Sequence, residues 1–407
     1  MKCRFCNENL SLTLVDLGSA PPSNAYLNRQ DLSKPEIYYP LRVMVCESCW
    51  LVQTEDYAAP DHLFSDSYAY FSSTSKSWLD HAHKYCAEIT SRLGLGPKSF
   101  VVEIASNDGY LLRNFHAAGI PCLGIEPTDS TAAAAEALGI STRREFFGRA
   151  LAERLARDDQ KADLIIGNNV FAHVPEINDF TSGMAALLKT GGTITLEFPH
   201  LLQLMQHRQF DTIYHEHFSY FALQTVNRIF ESHGLRIFDV EELATHGGSL
   251  RVYGCHKADP HQASPAVQSV IAKELSFGLQ KRETYAGFQS SVETIKNGLL
   301  EFLLTVKREG ETVVGYGAAA KGNTLLNFAG VKPDLLPFIC DAAPSKQGKF
   351  MPGSHIPILA PEALKTAQAD YVLILPWNIR EEIMSQLASF KDHGTVFVTA
   401  VPELVRN

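Results

Sequence analysis

The side chains best suited to acid–base chemistry are concentrated in one short segment, YHEHFSY at residues 214–220. Histidine titrates near neutral pH, so it can take a proton from a substrate. A His-Glu-His run is costly to bury without partners, and we therefore expect the segment to be either solvated or functional. Two more polar clusters, NNVFAHVP at 168–175 and EFPH at 197–200, follow apolar runs. The strand ends of a parallel sheet are where such clusters form sites.

A second kind of site is predicted at VVEIASNDGY, residues 101–110. The apolar run predicts a buried strand, and the turn SNDG leads into a helix. Glu126 ends the next apolar run, so it and Glu103 are expected side by side at one sheet edge, where an acid suits a ribose diol. Ala105 and Asn107 replace the first two glycines of a phosphate-binding turn, and Asp108 is anionic. The pattern favours a nucleoside without phosphates, such as S-adenosylmethionine, although an ordinary strand-turn-helix crossover is the alternative.

Four of the eight cysteines form two identical pairs, Cys3-x-x-Cys6 and Cys46-x-x-Cys49. This spacing is typical of a tetrahedral Zn²⁺ site, and four cysteine ligands leave no open coordination position. We therefore expect a structural zinc, with disulfides as the alternative. Its removal is expected to unfold the N-terminal region alone.

The composition is that of a globular protein: 407 residues, 45% hydrophobic and 20% charged, with a net charge of −9. The negative charge argues against a nucleic-acid or membrane-surface role. No apolar run approaches the roughly 20 residues of a membrane span, and no signal peptide is seen. A cytoplasmic protein with neither nucleic acid nor membrane as partner is expected.

Alternating strand and helix patterns predict an α/β fold in three domains, 1–75, 76–264 and 265–407. The middle domain is predicted as a parallel sheet with an antiparallel edge formed by strands 235–240 and 249–256. A helical stripe between residues 288 and 306 predicts a buried docking face. Within the last domain, a second α/β unit carries GYGAAAKGNT at 315–324, followed by Asp341 at a later strand end. Alone this turn suggests NAD, but Lys321 at a helix start also predicts an anion site.

Taken in order, the paired CxxC module, EIASNDGYLL, NNVFAHVP, EFPH, YHEHFSY and GYGAAAKGNT resemble the sugar C-methyltransferases. The resemblance covers nearly the whole chain. It implies an enzyme that uses S-adenosylmethionine to methylate a nucleotide-linked 4-keto-deoxysugar, as in the tetronitrose pathway. It also implies a zinc-binding N-terminal domain, a class I methyltransferase Rossmann-like core and a C-terminal Rossmann-like domain that binds the nucleotide sugar.

The resemblance implies roles for individual residues. His217 is the general base, His173 faces the 4-keto oxygen or orients the substrate, Tyr214 and Glu216 hold the sugar, and Tyr68 lies near the active site. The residues implied to line the cofactor site are Glu103, Ala105, Ser106, Asn107, Asp108, Gly109, Glu126, Pro127, Asn168 and Asn169. Those implied to meet the nucleotide, a thymidine diphosphate, are Lys321 with Asn323, Thr324, Ser345 and Lys346 as helpers.

Several alternatives remain at this point. Either carbon beside a 4-ketone, C3 or C5, could be methylated, and C3 is favoured. An O- or N-methyltransferase, or a non-catalytic zinc protein that binds a sugar nucleotide or a partner, would show similar patterns. His215 is expected to be structural, whereas His200 and Glu197 could cap a strand end or line the cofactor pocket. Ala105, where the family has Gly, is expected to keep a negative φ and alter the loop only slightly. A monomer is expected.

Overall fold

The structure, a computed structural model, describes residues 1–55, 71–74, 76–391 and 394–407. Its first sheet is antiparallel, in the order β1-β2-β3-β9. The strands are β1 (Leu12–Ala20), β2 (Tyr39–Val45), β3 (Val52–Thr54) and β9 (Ser219–Tyr220). Strand β9 comes from the YHEHFSY segment and pairs Tyr220 with Val52. The N-terminal sheet is therefore completed by a strand that lies more than 160 residues further along the chain.

The second sheet has seven strands in the order β10-β11-β8-β7-β4-β5-β6. They are β4 (Val101–Ile104), β5 (Cys122–Ile125), β6 (Thr142–Arg143), β7 (Ala162–Asn168), β8 (Leu188–Pro199), β10 (Leu235–Leu243) and β11 (Ser249–His256). Strands β4 to β8 are parallel, whereas β11 runs antiparallel to both β8 and β10. The predicted parallel sheet with an antiparallel edge is confirmed.

Helices cover both faces of this sheet, because its central strands are almost continuously apolar and buried. The helices are Lys76–Leu93, Leu112–Ala117, Asp129–Ala137, Arg149–Arg157, Ile177–Leu187, Leu201–Gln206, Leu223–Ser232 and Pro265–Phe277. Strand β8 begins at Leu188, directly after helix Ile177–Leu187, and includes the Gly191-Gly192 pair.

The third sheet has six strands in the order β14-β13-β12-β15-β16-β17, all parallel except β17. They are β12 (Val313–Tyr316), β13 (Ile339–Cys340), β14 (Ile358–Leu359), β15 (Tyr371–Ile374), β16 (Val396–Thr399) and β17 (Val405–Arg406). Its helices are Arg282–Ala286, Phe288–Glu309, Ala320–Ala329, Ala363–Ala367, Arg380–Gln386 and Ala388–Lys391.

The apolar stripe of helix Phe288–Glu309 is buried, as predicted, and packs in one hydrophobic core with β1, β2 and the third sheet. The N-terminal and C-terminal parts of the chain therefore share a core. Within the described ranges, no helix combines the length and hydropathy needed to cross a bilayer.

Candidate active site

The carboxyl ends of β4 and β5 carry the loop predicted to hold S-adenosylmethionine. Glu126 organises this loop: its Oε2 accepts a hydrogen bond of 3.0 Å from Asn107 N, and its Oε1 accepts one of 2.9 Å from Thr128 N. Gly124 on β5 lies directly beneath Ser106, since a Cβ on this glycine would come within 2.4 Å of the serine Oγ. Pro127 follows Glu126 and leads the chain into the next helix.

Several buried polar atoms at the carboxyl ends of β4 and β7 have no protein partner. Such atoms show whether a polar cofactor would fit at this edge of the sheet. Buried polar groups are normally hydrogen-bonded, so an unpartnered set indicates a place for a ligand. Among the described residues, the atoms in question are Glu103 Oε2, Ser106 Oγ, Asp108 Oδ1, both side-chain polar atoms of Asn168, and Asn169 Oδ1. Burial, with Asp108 and Glu126 nearby, raises the pKa of Glu103 well above its usual range. The predicted residues fit S-adenosylmethionine.

The conformation of Ala105 corrects one expectation. Its φ is +56°, in the left-handed region, and not negative as predicted. An alanine in this region costs roughly 1–2 kcal/mol because its Cβ approaches the following carbonyl. The turn imposes this φ because Ser106 N must still reach Ile125 O at 3.2 Å. The family glycine at this position was the signal that a positive φ is required.

Residues Ser72 and Ser73 contact the same loop from another part of the chain. Their backbone N–H groups donate to Asn107 Oδ1 at 2.9 Å and to Asp108 Oδ2 at 3.0 Å. Tyr68, predicted near the active site, lies outside the described residues.

The two cysteine pairs meet in the N-terminal module. Cys3 Sγ lies 3.5 Å from Cys49 Sγ, and Cys6 Sγ lies 3.4 Å from Cys46 Sγ. All four sulfur atoms lie within 4.8 Å of one another. Four convergent thiols are the ligand set of a closed tetrahedral zinc site, so the predicted residues fit Zn²⁺.

His217 lies in an irregular loop, residues 213–218. Its Nδ1 donates a hydrogen bond of 2.8 Å to the carbonyl oxygen of Thr212. This bond places the proton of the neutral ring on Nδ1 and leaves the lone pair on Nε2. The N-terminal module holds the main chain here, because the Thr54 hydroxyl donates to His217 O at 3.1 Å.

The rings of Tyr214, His173 and Tyr220 surround His217, with centroids 3.9, 4.7 and 6.1 Å away. Burial lowers the pKa of His173 to about 4. Burial, and then the nearby His173, His246 and Lys321, lower the pKa of His217 well below its usual range. Both imidazoles are therefore neutral at physiological pH, and His217 has an available lone pair.

Glu216 and His215 point to different partners. Both carboxylate oxygens of Glu216 accept from the Asn24 side-chain nitrogen at 2.8 Å. Burial raises the pKa of Glu216 to about 7, against the opposing effect of Asn24. His215 donates from Nε2 to Tyr39 O at 3.1 Å and so contacts the N-terminal sheet, in agreement with the expected structural role.

The two open cases, His200 and Glu197, both have buried polar partners. His200 Nε2 lies 2.7 Å from Glu274 Oε1, and this glutamate also caps helix Leu223–Ser232 by accepting from Leu223 N. Glu197 Oε2 accepts from Arg251 at 2.8 Å and lies 2.9 Å from His81 Nε2. The His200 imidazole and the Glu197 carboxylate therefore form hydrogen bonds that link neighbouring helices and strands.

Lys321 faces the same region from the C-terminal unit. Its ammonium group donates to Asn378 Oδ1 at 2.6 Å and lies 4.7 Å from the centroid of the Trp377 ring. Burial lowers the pKa of Lys321, and Asp211 opposes the shift. Asp211, Trp377 and Asn378 belong to no recognisable sequence motif, and no pattern in the sequence predicted them.

The other residues predicted to contact the nucleotide differ in whether their side chains already have a protein partner. Asn323 is fully buried, and neither polar atom of its side chain has a partner within the described part of the chain. Thr324 donates its hydroxyl to Ile213 O at 2.8 Å. Lys346 donates to Ala318 O at 2.9 Å, and the neighbouring Ser345 is exposed. Asp341 accepts from Ala318 N at 2.7 Å and so closes the turn, which removes the main argument for an NAD ribose contact.

Comparisons with known proteins cover nearly the whole chain. Three family models match: "Putative zinc binding domain" over residues 3–64, "Methyltransferase domain" over 78–240 and "C-methyltransferase C-terminal domain" over 244–402. The C-methyltransferase NovU of Streptomyces niveus is 37% identical over 402 residues, which span 99% of this chain and 96% of that protein.

Solved structures match only part of the chain. Magnesium protoporphyrin IX methyltransferase (ChlM) from Synechocystis PCC 6803 with bound SAM is 13% identical with a TM-score of 0.35, over 49% of this chain and 99% of that one. A SAM-dependent methyltransferase from Anabaena variabilis is 15% identical with a TM-score of 0.34, over 42% and 83% respectively.

The identity to NovU extends over nearly the full length of both proteins, and the domain models follow in the same order along the chain. A partner-free polar edge fits the cofactor, and a four-cysteine cluster fits zinc. The chain belongs to the S-adenosylmethionine-dependent C-methyltransferases of the NovU type.

Proposed function

We propose that the enzyme methylates the carbon beside the 4-keto group of a dTDP-linked 4-keto-6-deoxysugar, with C3 favoured over C5. The observation that carries this proposal is the hydrogen bond from His217 Nδ1 to Thr212 O. It leaves Nε2 with a lone pair in a buried site, as a general base requires. The resemblance to sugar C-methyltransferases supplies the substrate class.

The chemistry needs a base because a sugar carbon is not nucleophilic until the proton beside the carbonyl is removed. His217 Nε2 takes that proton, the C–H electron pair forms the enolate double bond, and the carbonyl electrons move to oxygen. S-adenosylmethionine, when bound, supplies an electrophilic methyl group on a sulfonium. The enolate carbon then forms the new C–C bond, and the electrons of the broken C–S bond stay on sulfur.

Side chains around His217 are proposed to hold the sugar. Glu216 and Tyr214 would bind its hydroxyl groups, because the carboxylate accepts hydrogen bonds and the phenol both donates and accepts. His173 would orient the ring from the side of β7. The role of Tyr68 near the active site stays a prediction. The cofactor would be held by the partner-free atoms at the ends of β4, β5 and β7.

The nucleotide is proposed to bind at the start of helix Ala320–Ala329. Lys321 and the N-terminal N–H groups of this helix suit a diphosphate. The partner-free amide of Asn323 supports a polar ligand here. Thr324 holds the helix against Ile213, and the roles of Ser345 and Lys346 stay predictions.

The test is deuterium exchange followed by product analysis. The enzyme, S-adenosylhomocysteine and dTDP-4-keto-6-deoxyglucose are incubated in D₂O, and exchange beside the ketone is followed by NMR. We expect exchange that depends on the enzyme, and methylation of the same carbon once S-adenosylmethionine is supplied. A methyl group on oxygen or nitrogen without exchange would favour an O- or N-methyltransferase.

A further inference from the structure

His246 occupies a strained turn between β10 and β11. Three successive residues have positive φ: His246 at 55°, Gly247 at 89° and Gly248 at 115°. The turn is held by packing, because a Cβ on Gly247 would lie 2.4 Å from the Trp377 ring. A non-glycine residue kept in the left-handed region by its surroundings is typical of functional sites. The histidine is therefore a candidate for a role in the reaction.

The neighbours of His246 belong to the candidate active site. Its ring lies 5.4 Å from the Trp78 ring, and its Nε2 lies 3.3 Å from the side-chain nitrogen of Asn169, at the end of β7. The positive charge of Lys321 is close enough to lower the pKa of both His246 and His217. The imidazole thus lies between the cofactor edge, the proposed base and the proposed anion site.

The contact with Asn169 determines where the ring of His246 carries its proton. An amide nitrogen only donates, so Nε2 accepts and the ring N–H is at Nδ1. Desolvation by the surrounding side chains lowers the pKa of His246 to about 4, so the ring is neutral at physiological pH. No protein acceptor for Nδ1 is found within the part of the chain that the structure describes.

The other two imidazoles have already used their single N–H group. His217 donates from Nδ1 to Thr212 O. His173 donates to the main chain of Glu216, an interaction that favours the charged ring but does not outweigh burial. A neutral imidazole has only one N–H, so neither can also donate to a substrate oxygen. His246 is the histidine of the three that keeps a donor.

We propose that His246 is a catalytic residue that donates its Nδ1–H to the substrate oxygen on which negative charge develops during enolate formation. This rests on the proposed function, because it requires a ketone beside the reacting carbon. The proton removed from carbon goes to His217 Nε2, the carbonyl electron pair moves to oxygen, and His246 stabilises that oxygen without giving up its own proton. Aligned donors of this kind contribute most where water is excluded.

The test compares His246→Ala with His246→Asn. The Asn amide places an N–H near the position of Nδ1 and tolerates a positive φ, whereas Ala has no donor. Exchange at the carbon beside the ketone is measured in D₂O with dTDP-4-keto-6-deoxyglucose and S-adenosylhomocysteine. We expect His246→Ala to lose about 100-fold or more in the exchange rate, in line with loss of one oxyanion donor. His246→Asn should recover a substantial part of that loss.

Cofactor affinity and folding separate this role from a structural one. Calorimetry with S-adenosylhomocysteine and far-UV circular dichroism should be unchanged in both variants and in His207→Ala, a control at an exposed histidine. Wild-type rates of exchange in His246→Ala, or a loss confined to cofactor affinity, would overturn the assignment. Absence of exchange in the wild-type enzyme would instead refute the proposed enolate route, and the role of His246 with it.

Discussion

The indole N–H of Trp377 donates a hydrogen bond of 2.7 Å to Oδ2 of Asp211, across 166 residues of sequence. The bond joins the C-terminal unit to the segment just before the proposed base. Asp211 precedes Thr212, whose carbonyl accepts from His217 Nδ1. The same indole ring lies beneath the Lys321 ammonium group. A single tryptophan therefore connects the proposed nucleotide site with the residue that fixes the tautomer of His217.

Replacing Trp377 with Phe should remove this connection. The carboxylate of Asp211 is fully buried and would lose its side-chain donor, which costs about 1–3 kcal/mol of unfolding free energy. We also expect kcat to fall more than KM changes, because the Thr212 carbonyl would no longer be held in place. Urea unfolding and steady-state kinetics measure both. Trp50→Phe, at a tryptophan stacked on Tyr285, is the matched control. The connection would be contradicted if Trp377→Phe kept the wild-type kcat and lost no more unfolding free energy than Trp50→Phe.

His217→Asn should separate base chemistry from folding. The Asn amide can still donate to Thr212 O, but the lone pair of Nε2 is lost. We expect kcat to fall by about 10²–10⁴, the usual contribution of a general base. The affinity for S-adenosylhomocysteine, measured by calorimetry, should stay as in the wild type. His215→Asn serves as the control, since His215 contacts Tyr39 O and should affect stability but not turnover. Loss of cofactor binding in His217→Asn would show that the base is misplaced.

Glu216 should make the protein less stable as the pH rises. Its folded pKa is about 7 against an ordinary 4.5, so between these values the folded state binds more protons than the unfolded state. Unfolding free energy then falls with rising pH, by about 3 kcal/mol over the full range. Glu216→Gln lacks this titration. Its stability relative to the wild type should therefore increase between pH 5 and pH 8, while turnover falls. The free energies of unfolding of both proteins are measured by urea unfolding across this pH range. If the difference between wild type and Glu216→Gln does not change with pH, the pKa of Glu216 is not raised.

Ala105→Gly should stabilise the cofactor loop. Glycine adopts the observed φ of +56° without a steric cost, and this gain exceeds the entropy lost by the more flexible residue. We expect a gain of about 0.5–1 kcal/mol in urea unfolding. Ala133→Gly, at an exposed position in helix Asp129–Ala137, should lose about 1 kcal/mol instead. Destabilisation of similar size in both variants would mean that Ala105 is not strained.

Removing zinc should reduce activity as well as stability. The sequence alone predicted that only the N-terminal region would unfold. Strand β3 follows the second cysteine pair and pairs with β9, and Thr54 on β3 holds the His217 main chain. Chelation should therefore lower the melting temperature and kcat together, with zinc content measured in parallel. Cys122→Ser, outside the cluster, should leave the zinc content unchanged. Full turnover of a zinc-free protein would contradict this coupling.

The local patterns of the sequence determined most of the methyltransferase core. Apolar runs located β4, β5, β7 and β11, and the CxxC spacing identified the four cysteines that converge in the structure. The cofactor loop could be predicted because strand, turn and acid lie close together in the chain. Such patterns are read within a window of about 10–18 residues, over which side-chain periodicity reports the buried face.

Only the tertiary structure decided what surrounds the proposed base. The Asn24–Glu216 bond spans 192 residues, the Asp211–Trp377 bond spans 166, and β9 joins the N-terminal sheet. His246 belongs to no motif and is brought to the site by a strained turn. Periodicity shows that a residue is buried but not which distant segment covers it, because that depends on packing between whole elements. The sequence therefore determined the chemistry available, and the packing of three sheets decided which side chains share one site.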